Sequence, residues 1–368
     1  MKLNKKMIIM LASVVGVLVV LVIILMLFVG GGSKKLSFEK IEEKLLSAGE
    51  SYYEDNKDKL PDSGSSFVTS DELVEEDYIK ELSSYTEEDV TCDGKVYATK
   101  NPSGYSYHAV LDCGKDYSTK SLKDKLIKNV VTSGSGLYKE EQVNPNNNTE
   151  MHTVYVFKGD NVKNYIKVGD YYWEIVKVYE NGEIAVLGDP ELLRDVWDDR
   201  YNLEIEKYDG INDYNVSRMH DTIIKDVVND KEGYLKIKSL ITTHTACVGK
   251  RNTDDVTKDG STECSETLEN QYFSLLPAYD YINASLDSNC NTALDYSCYN
   301  YNYLSGAPDE WWTVTGVGEN NYDVYFIDVT MEYEAAKSTM AVRLYAHLNS
   351  NTTYVSGSGT YEDPYIVK

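Results

Sequence analysis

The chain is short of positive charge. Its 36 lysine and arginine residues are outnumbered by 60 aspartates and glutamates, and the formal net charge is −24. DNA, RNA and anionic lipids are recognised through basic patches, so this composition argues against nucleic acid as a partner. Phenylalanine is also scarce, with 6 Phe against 32 Tyr. Tyrosine combines apolar area with a polar tip, which suits the thin cores and wet surfaces of extracellular domains.

The sequence also lacks the usual signatures of a nucleophilic enzyme. No serine lies in a Gly-x-Ser-x-Gly context, and a catalytic triad needs a histidine within reach of its nucleophile. The chain has five histidines, for which we predict structural roles: His108, His152, His220, His244 and His347. We therefore expect a protein that is not an enzyme.

No Cys-x-x-Cys occurs, which excludes the usual zinc-ribbon spacing. His244, Cys247 and Cys264 are a weak alternative as soft ligands for copper or zinc. The acidic segments 209–215 and 229–233 do not follow EF-hand spacing. We predict no cofactor, and calcium held by scattered loops stays open.

The six cysteines allow 15 connectivities. We predict the three local pairs, each of which would close one loop or hairpin: Cys92–Cys113, Cys247–Cys264 and Cys290–Cys298. Free buried thiols are the alternative. Disulfides belong to an oxidising compartment, which favours export of the acidic region.

Residues 7–29 are free of charge and, at 1.5 Å per residue, long enough to cross a bilayer core of about 30 Å. The stretch is too long for the apolar region of a signal peptide and lacks an A-x-A-like exit. The first 35 residues hold five lysines and no acid. We predict a single-pass cell-membrane protein with a cytoplasmic tail at 1–6, an anchor at 7–29 and residues 36–368 outside the cell.

The segment 36–85 predicts stalk helices, because Phe38, Ile41, Leu45, Ala48 and Tyr52 recur at helical spacing. An apolar anchor followed by an amphipathic helix and DELVEEDYIKEL resembles the N-terminal part of type IV pilin-like and pseudopilin proteins of Gram-positive bacteria. That resemblance implies assembly through the helix. Because the apolar stretch has no glutamate and no processing site precedes it, a membrane-proximal stalk is our first interpretation.

Three further segments complete the predicted organisation. Residues 86–130 read as a small β-hairpin module, since two alternating segments flank an Asn-Pro-Ser-Gly turn. Residues 131–150 are rich in Ser, Gly and Asn without periodicity, which predicts a linker. Residues 151–368 are long enough for a sizeable core and predict a mixed α+β surface domain.

The last domain carries a spaced set of motifs: Trp311-Trp312, then Ala341-Val342-Arg343, then Gly357-Ser358-Gly359-Thr360 with Pro364-Tyr365. In these motifs it resembles a class of surface domains of Gram-positive bacteria to which no reaction is assigned. Such domains are similar to the C-type-lectin-like and formylglycine-generating-enzyme-like fold, in which the late arginine-containing strand is structural. The resemblance therefore implies a fold and a surface location.

The stretch PDEWWTVTG focuses the search for a binding site. Successive side chains of a strand face opposite ways, so Trp311 shares its face with two threonines and Trp312 shares the other with Val314. We expect Trp312 in the core and Trp311 exposed for ligand contact. The loop-rich region 272–312 supplies the other candidate ligand-binding residues: Tyr299, Tyr301, Tyr303, Asp309 and Glu310.

These observations favour a membrane-anchored surface module that binds an extracellular glycan or protein. A pilin-like or envelope-assembly component is the alternative, and it predicts an exposed apolar stripe on the stalk helix. A glycan hydrolase that uses Asp309 or Glu310 as an acid is the third possibility, and it predicts two carboxyl groups in one cleft.

Overall fold

The computed structural model of the protein describes residues 35–102, 104–188, 193–230, 232–306 and 309–368. The predicted tail and anchor at 1–29 lie outside these residues. Within the described ranges, no helix is long and apolar enough to span a membrane. The fold is mixed α+β and consists mostly of strands.

The helices are short apart from the first. In chain order they are α1 (Phe38–Asp55), α2 (Ser70–Glu75), α3 (Leu122–Ile127), α4 (Ile224–Asp230), α5 (Glu232–Ile237) and α6 (Ala278–Ala284). A π-helical turn, Met219–Ile223, leads into α4.

The strands of the first half of the chain are β1 (Ser65–Thr69), β2 (Asp93–Asn101), β3 (Gly104–Asp112), β4 (Gly136–Asn144), β5 (Asn147–Lys158), β6 (Tyr165–Val168), β7 (Tyr171–Tyr179), β8 (Ile184–Gly188) and β9 (Arg194–Val196). Those of the second half are β10 (Ile241–Thr242), β11 (His244–Cys247), β12 (Thr267–Gln271), β13 (Trp311–Gly316), β14 (Asp323–Ile327), β15 (Met331–Ala335), β16 (Thr339–Ala341), β17 (Tyr345–Leu348), β18 (Tyr354–Ser356) and β19 (Tyr365–Val367).

The described chain forms two compact units. The first contains residues up to 52 together with 68–96 and 109–118, and the second contains 53–67, 97–108 and 119–368. The boundaries fall within β1, β2 and β3, which form a three-stranded sheet in that order. The predicted stalk segment 36–85 and the predicted hairpin segment 86–130 are each divided between the two units.

In the first unit, the apolar face of α1 is buried against the hairpin. Ile41 and Leu45 are fully buried, and a methyl group at Gly49 would lie 2.4 Å from the Val96 side chain. This close approach requires glycine in the helix despite its low helix propensity. The Tyr117 hydroxyl donates to the buried Glu42 carboxylate at 2.7 Å. The helix that was predicted to form a stalk therefore packs against the hairpin within this unit.

The interpretation of 131–150 as a linker is wrong. This segment forms β4, a tight turn and the start of β5, and the two strands pair antiparallel from Gly136–Lys158 to Asn144–Asn147. Strand β5 then pairs with the second half of β7. The polar Asn-rich run misled the interpretation because it supplies the turn of a long, largely exposed hairpin, where alternation of apolar residues is weak.

Two sheets build the core of the second unit. The larger, nine-stranded sheet has the order β10-β17-β8-β7-β6-β19-β18, with β4 and β5 joined to it through β7. The smaller, five-stranded sheet has the order β15-β14-β13-β16-β9. Two hydrophobic clusters pack here, with Trp312 in one and Trp311 in the other.

The three predicted disulfides are confirmed. Cys92 pairs with Cys113, Cys247 with Cys264, and Cys290 with Cys298. The described residues contain no free cysteine. The soft-metal alternative for Cys247 and Cys264 is therefore wrong, because both thiols are consumed by one bond.

Candidate functional site

Trp311 does not have the predicted exposure. Its relative exposure is 0 %, and the Arg343 guanidinium lies 4.9 Å from the centre of its ring. The threonines that share its face are buried as well, since Thr313 donates to the Tyr325 carbonyl and Thr315 accepts from the Ala278 amide. Hydrogen bonds within the protein satisfy both hydroxyl groups. The threonines beside Trp311 therefore did not indicate a solvent-exposed strand face. The expectation that Trp312 lies in the core is confirmed.

The three candidate tyrosines have different environments. Tyr299 and Tyr301 are exposed at 41 % and 61 %, whereas Tyr303 packs against both core clusters. The Tyr303 hydroxyl is enclosed without a hydrogen-bond partner, and burial raises the pKa of this group well above its ordinary value. Tyr303 is thus partly buried against the core, and the other two remain available at the surface.

Asp309 and Glu310 share one arginine. The Arg194 guanidinium lies 2.8 Å from Asp309 Oδ1 and 3.5 Å from Glu310 Oε2, and all three side chains are partly exposed. Two carboxylates tied to one cation form a surface ion-pair cluster. The predicted glycosidase arrangement needs two carboxyl groups in one cleft, whereas both of these carboxylates are paired with a cation.

A different set of residues forms a cavity of about 560 Å³. Its lining comes from the β4–β5 turn, the β7–β8 turn, the start of β11 and the end of β12. We call it the histidine pocket, and it is lined by Asn144, Pro145, Asn146, His152, Tyr179, Glu180, Asn181, Glu183, Thr243, His244, Thr245, Glu269, Asn270 and His347. None of the six ligand-binding residues predicted from the sequence is among them.

Strand register explains why these distant residues meet. Thr242 pairs with His347 across β10 and β17, and His244 follows two residues later. Val154 pairs with Tyr179 across β5 and β7, with His152 two residues earlier on the same face. Non-local pairing therefore gathers three of the five histidines into one wall.

The rings of His244 and His347 stack, with centroids 4.3 Å apart. His347 Nδ1 lies 3.3 Å from Glu183 Oε2, and Glu183 Oε1 accepts from Asn181 Nδ2 at 3.1 Å. His244 Nε2 lies 3.0 Å from Ser274 Oγ. His244 is only 6 % exposed, and its Nδ1 atom is buried without a hydrogen-bond partner.

Burial keeps both stacked histidines neutral. It lowers the pKa of His347 to about 3, with a further contribution from the positive charge of Lys177. Burial, and then the neighbouring His347, lower the pKa of His244 well below 6.5. Burial also raises the pKa of Glu183.

A buried ion pair lies beneath the pocket wall. Lys177 Nζ on β7 is 2.6 Å from Asp280 Oδ1 on α6, with side-chain exposures of 1 % and 0 %. The ammonium also donates to Gln142 and Tyr279, and the Tyr345 hydroxyl lies 3.4 Å from Asp280 Oδ2. This network fixes the strands that carry Tyr179 and His347.

His347 is poorly suited to act as a general base. An efficient general base has a pKa near the operating pH, and that of His347 is far below it. Neutral imidazoles, amides and hydroxyls are instead good hydrogen-bonding groups for an uncharged or polar ligand. In the part of the chain that the structure describes, no group of three or more His, Cys, Asp or Glu side chains is placed to hold a metal ion.

Local sequence patterns did not predict this site. Three histidines in segments with strand-like alternation were the available signal, but they are separated by about 90 and about 100 residues. Comparison with protein-family models, with curated proteins and with solved structures finds no match to this chain.

Proposed function

We propose that the protein is a membrane-anchored surface module that binds an extracellular glycan, without catalysis, in the histidine pocket. The single observation that carries the proposal is the polar cavity around His244, whose buried Nδ1 atom has no partner within the protein. An unpaired buried polar atom costs about 1–3 kcal/mol, and a ligand group that pairs with it recovers that cost.

The size and chemistry of the cavity suit one or two sugar units. Ligand sites commonly occupy roughly 300–1,000 Å³, with a few convergent polar groups that fix orientation. Four asparagines and two threonines line the pocket, and they both donate and accept, as sugar hydroxyls do. The side chains of Tyr179 and His152 supply aromatic surface, with ring centroids 5.6 Å apart.

The surface location and the fold family belong to the same proposal. The charge-free stretch at 7–29 supports a single-pass anchor with residues 36–368 outside the cell. Three disulfides support an oxidising compartment. The Trp-Trp, Val-Arg and Gly-x-Gly-Thr motifs support a relationship to the C-type-lectin-like surface domains.

The two alternative functions have less support. Assembly through the stalk helix predicted an exposed apolar stripe, whereas Ile41, Leu45 and Ala48 are buried within their own unit. Hydrolysis by Asp309 or Glu310 has less support because both carboxylates are paired with Arg194.

A glycan array probed with the full chain in detergent tests the proposal. We expect the wild-type protein to bind a subset of glycans, and His152→Ala to weaken that binding roughly five- to tenfold, because one hydrogen-bonding and stacking group is removed. His152 is partly exposed, so this substitution leaves the core intact.

Tyr299→Ala and Tyr301→Ala are the matched controls, because both remove exposed aromatic rings from the loop that the sequence favoured. They should bind as the wild type does. If the tyrosine variants lose binding while His152→Ala keeps it, the site is the 272–312 loop and the pocket assignment is wrong. If the wild-type chain binds no glycan, the glycan-binding function is wrong.

A further inference from the structure

The lining of the histidine pocket has a one-sided charge. Three of its side chains are acidic, namely Glu180, Glu183 and Glu269, and no lysine or arginine is part of the lining. The nearest buried cation, Lys177, is already paired with Asp280 at 2.6 Å. A ligand in this cavity therefore meets an excess of negative charge among the lining side chains.

The pocket is also rich in hydrogen-bond acceptors, and the histidine tautomers add to them. We assign the hydrogen of His244 to Nε2, where it donates to Ser274 Oγ at 3.0 Å, because Ser274 Oγ itself donates to the Leu275 carbonyl at 3.4 Å. The orphaned Nδ1 atom of His244 is then an acceptor, since a neutral imidazole has one of each.

His347 follows the same logic. We assign the hydrogen of His347 to Nδ1, which donates to Glu183 Oε2 at 3.3 Å when Glu183 is ionised, because a carboxylate only accepts. The Nε2 atom of His347 is consequently an acceptor too. Burial holds the pKa of both rings far below neutrality, which keeps these lone pairs available.

We propose that the ligand of the histidine pocket carries a protonated primary amine, so that the natural ligand class is a glycan with free amino sugars. An ammonium group has three donors and no acceptor, which matches a cavity that offers carboxylates and imidazole lone pairs. Charge-assisted hydrogen bonds of this kind are roughly twice as strong as neutral ones. Glycans with carboxylate or phosphate groups are disfavoured by the same acids. This inference rests on the proposed glycan-binding function.

Titration calorimetry of the full chain with three short oligosaccharides tests it. The probes are a tetramer of glucosamine, the matching tetramer of N-acetylglucosamine and a tetramer of galacturonic acid. We expect the free amine to bind roughly fivefold tighter than the acetylated form, as is reasonable for partly exposed charge pairs. Added salt should reduce this preference, because it screens exposed charges.

Two isosteric variants locate the effect. Glu180→Gln and Glu269→Gln keep the shape of exposed lining residues and remove one charge each, so each should lower the preference for the amine. Glu332→Gln is the control, because Glu332 is an exposed strand glutamate, like Glu269, but lies outside the pocket lining. It should leave the preference unchanged.

The possible results distinguish a failure of the amine preference from a failure of glycan binding itself. Equal affinity for the free and acetylated tetramers would overturn the amine preference and leave glycan binding in place. Tighter binding of galacturonate would overturn it as well, as would an amine preference that Glu332→Gln reduces as much as Glu269→Gln. Failure of all three sugars to bind would contradict the proposed function itself.

Discussion

His347 lies in the wall of the histidine pocket, almost fully buried, with its ring stacked on that of His244. Burial and the charge of Lys177 lower its pKa to about 3, against an ordinary value of 6.5. Between these two pH values, His347 is therefore neutral in the folded protein and protonated in the unfolded chain. Such a difference makes stability depend on pH.

The sign of that dependence follows from the lowered pKa. The stability is complete above about pH 6.5, where neither state is protonated, and it is lost as the pH falls towards about 3. His244 acts in the same direction, whereas the raised pKa of Glu183 acts in the opposite one. His347→Gln, which cannot titrate, should flatten the loss of stability between pH 7.5 and pH 5.

Chemical denaturation of the wild type and the variant at these two pH values measures the effect. Each protein is compared with itself, so a general cost of the substitution cancels. Equal pH dependence in both proteins would show that His347 is not the residue responsible, and that its ring is protonated as easily in the folded state as in the unfolded one.

Single residues also show the limit of reading a strand from its sequence. The alternation in β13 correctly separates Trp311 from Trp312, and only the burial of Trp311 was misjudged. A threonine face looks like a solvent face in sequence, because no local pattern records that Tyr325 and Ala278 will satisfy the hydroxyl groups. Whether Trp311 is exposed depends on which other elements pack against its face of β13.

At the scale of elements, the Lys177–Asp280 pair joins strand β7 to helix α6 in a fully buried setting. Removing one partner of such a pair leaves an uncompensated charge in the core and costs about 3–5 kcal/mol. Lys177→Met should therefore destabilise the protein strongly. The double variant Lys177→Met with Asp280→Leu should recover most of that loss.

A double-mutant cycle by chemical denaturation checks this coupling. Lys35→Met is a useful control, because the Lys35–Glu87 pair is exposed on both sides and such pairs contribute at most about 1 kcal/mol. If the double variant at 177 and 280 loses the sum of the two single losses, the side chains act independently and the pair does not hold β7 to α6.

Local sequence patterns predicted individual helices and strands better than they predicted which strands pair with each other. The amphipathic spacing in α1, the hairpin of β2 and β3, and all three disulfides are confirmed. The β4–β5 hairpin was missed because the segment 131–150, rich in Ser, Gly and Asn, contains only two buried apolar residues, Leu137 and Val143. The site was missed because β10 meets β17 across a separation of about 100 residues, which no local spacing encodes.

At the scale of the whole molecule, composition indicated a mixed α+β chain with disulfides, and the structure agrees. The anchor at 7–29 stays a prediction from the sequence. For the molecule as a whole, we propose that a ligand binds at the histidine pocket of the second unit and not at the tyrosine-rich loop.

Hydrogen–deuterium exchange of the full chain, with and without the tightest-binding glycan, tests that claim most directly. If the ligand binds in the histidine pocket, backbone amides should exchange more slowly in the segments that line it, at 144–146, 180–183, 243–245 and 269–270. Unchanged exchange in these segments, together with slower exchange at 295–303, would contradict it.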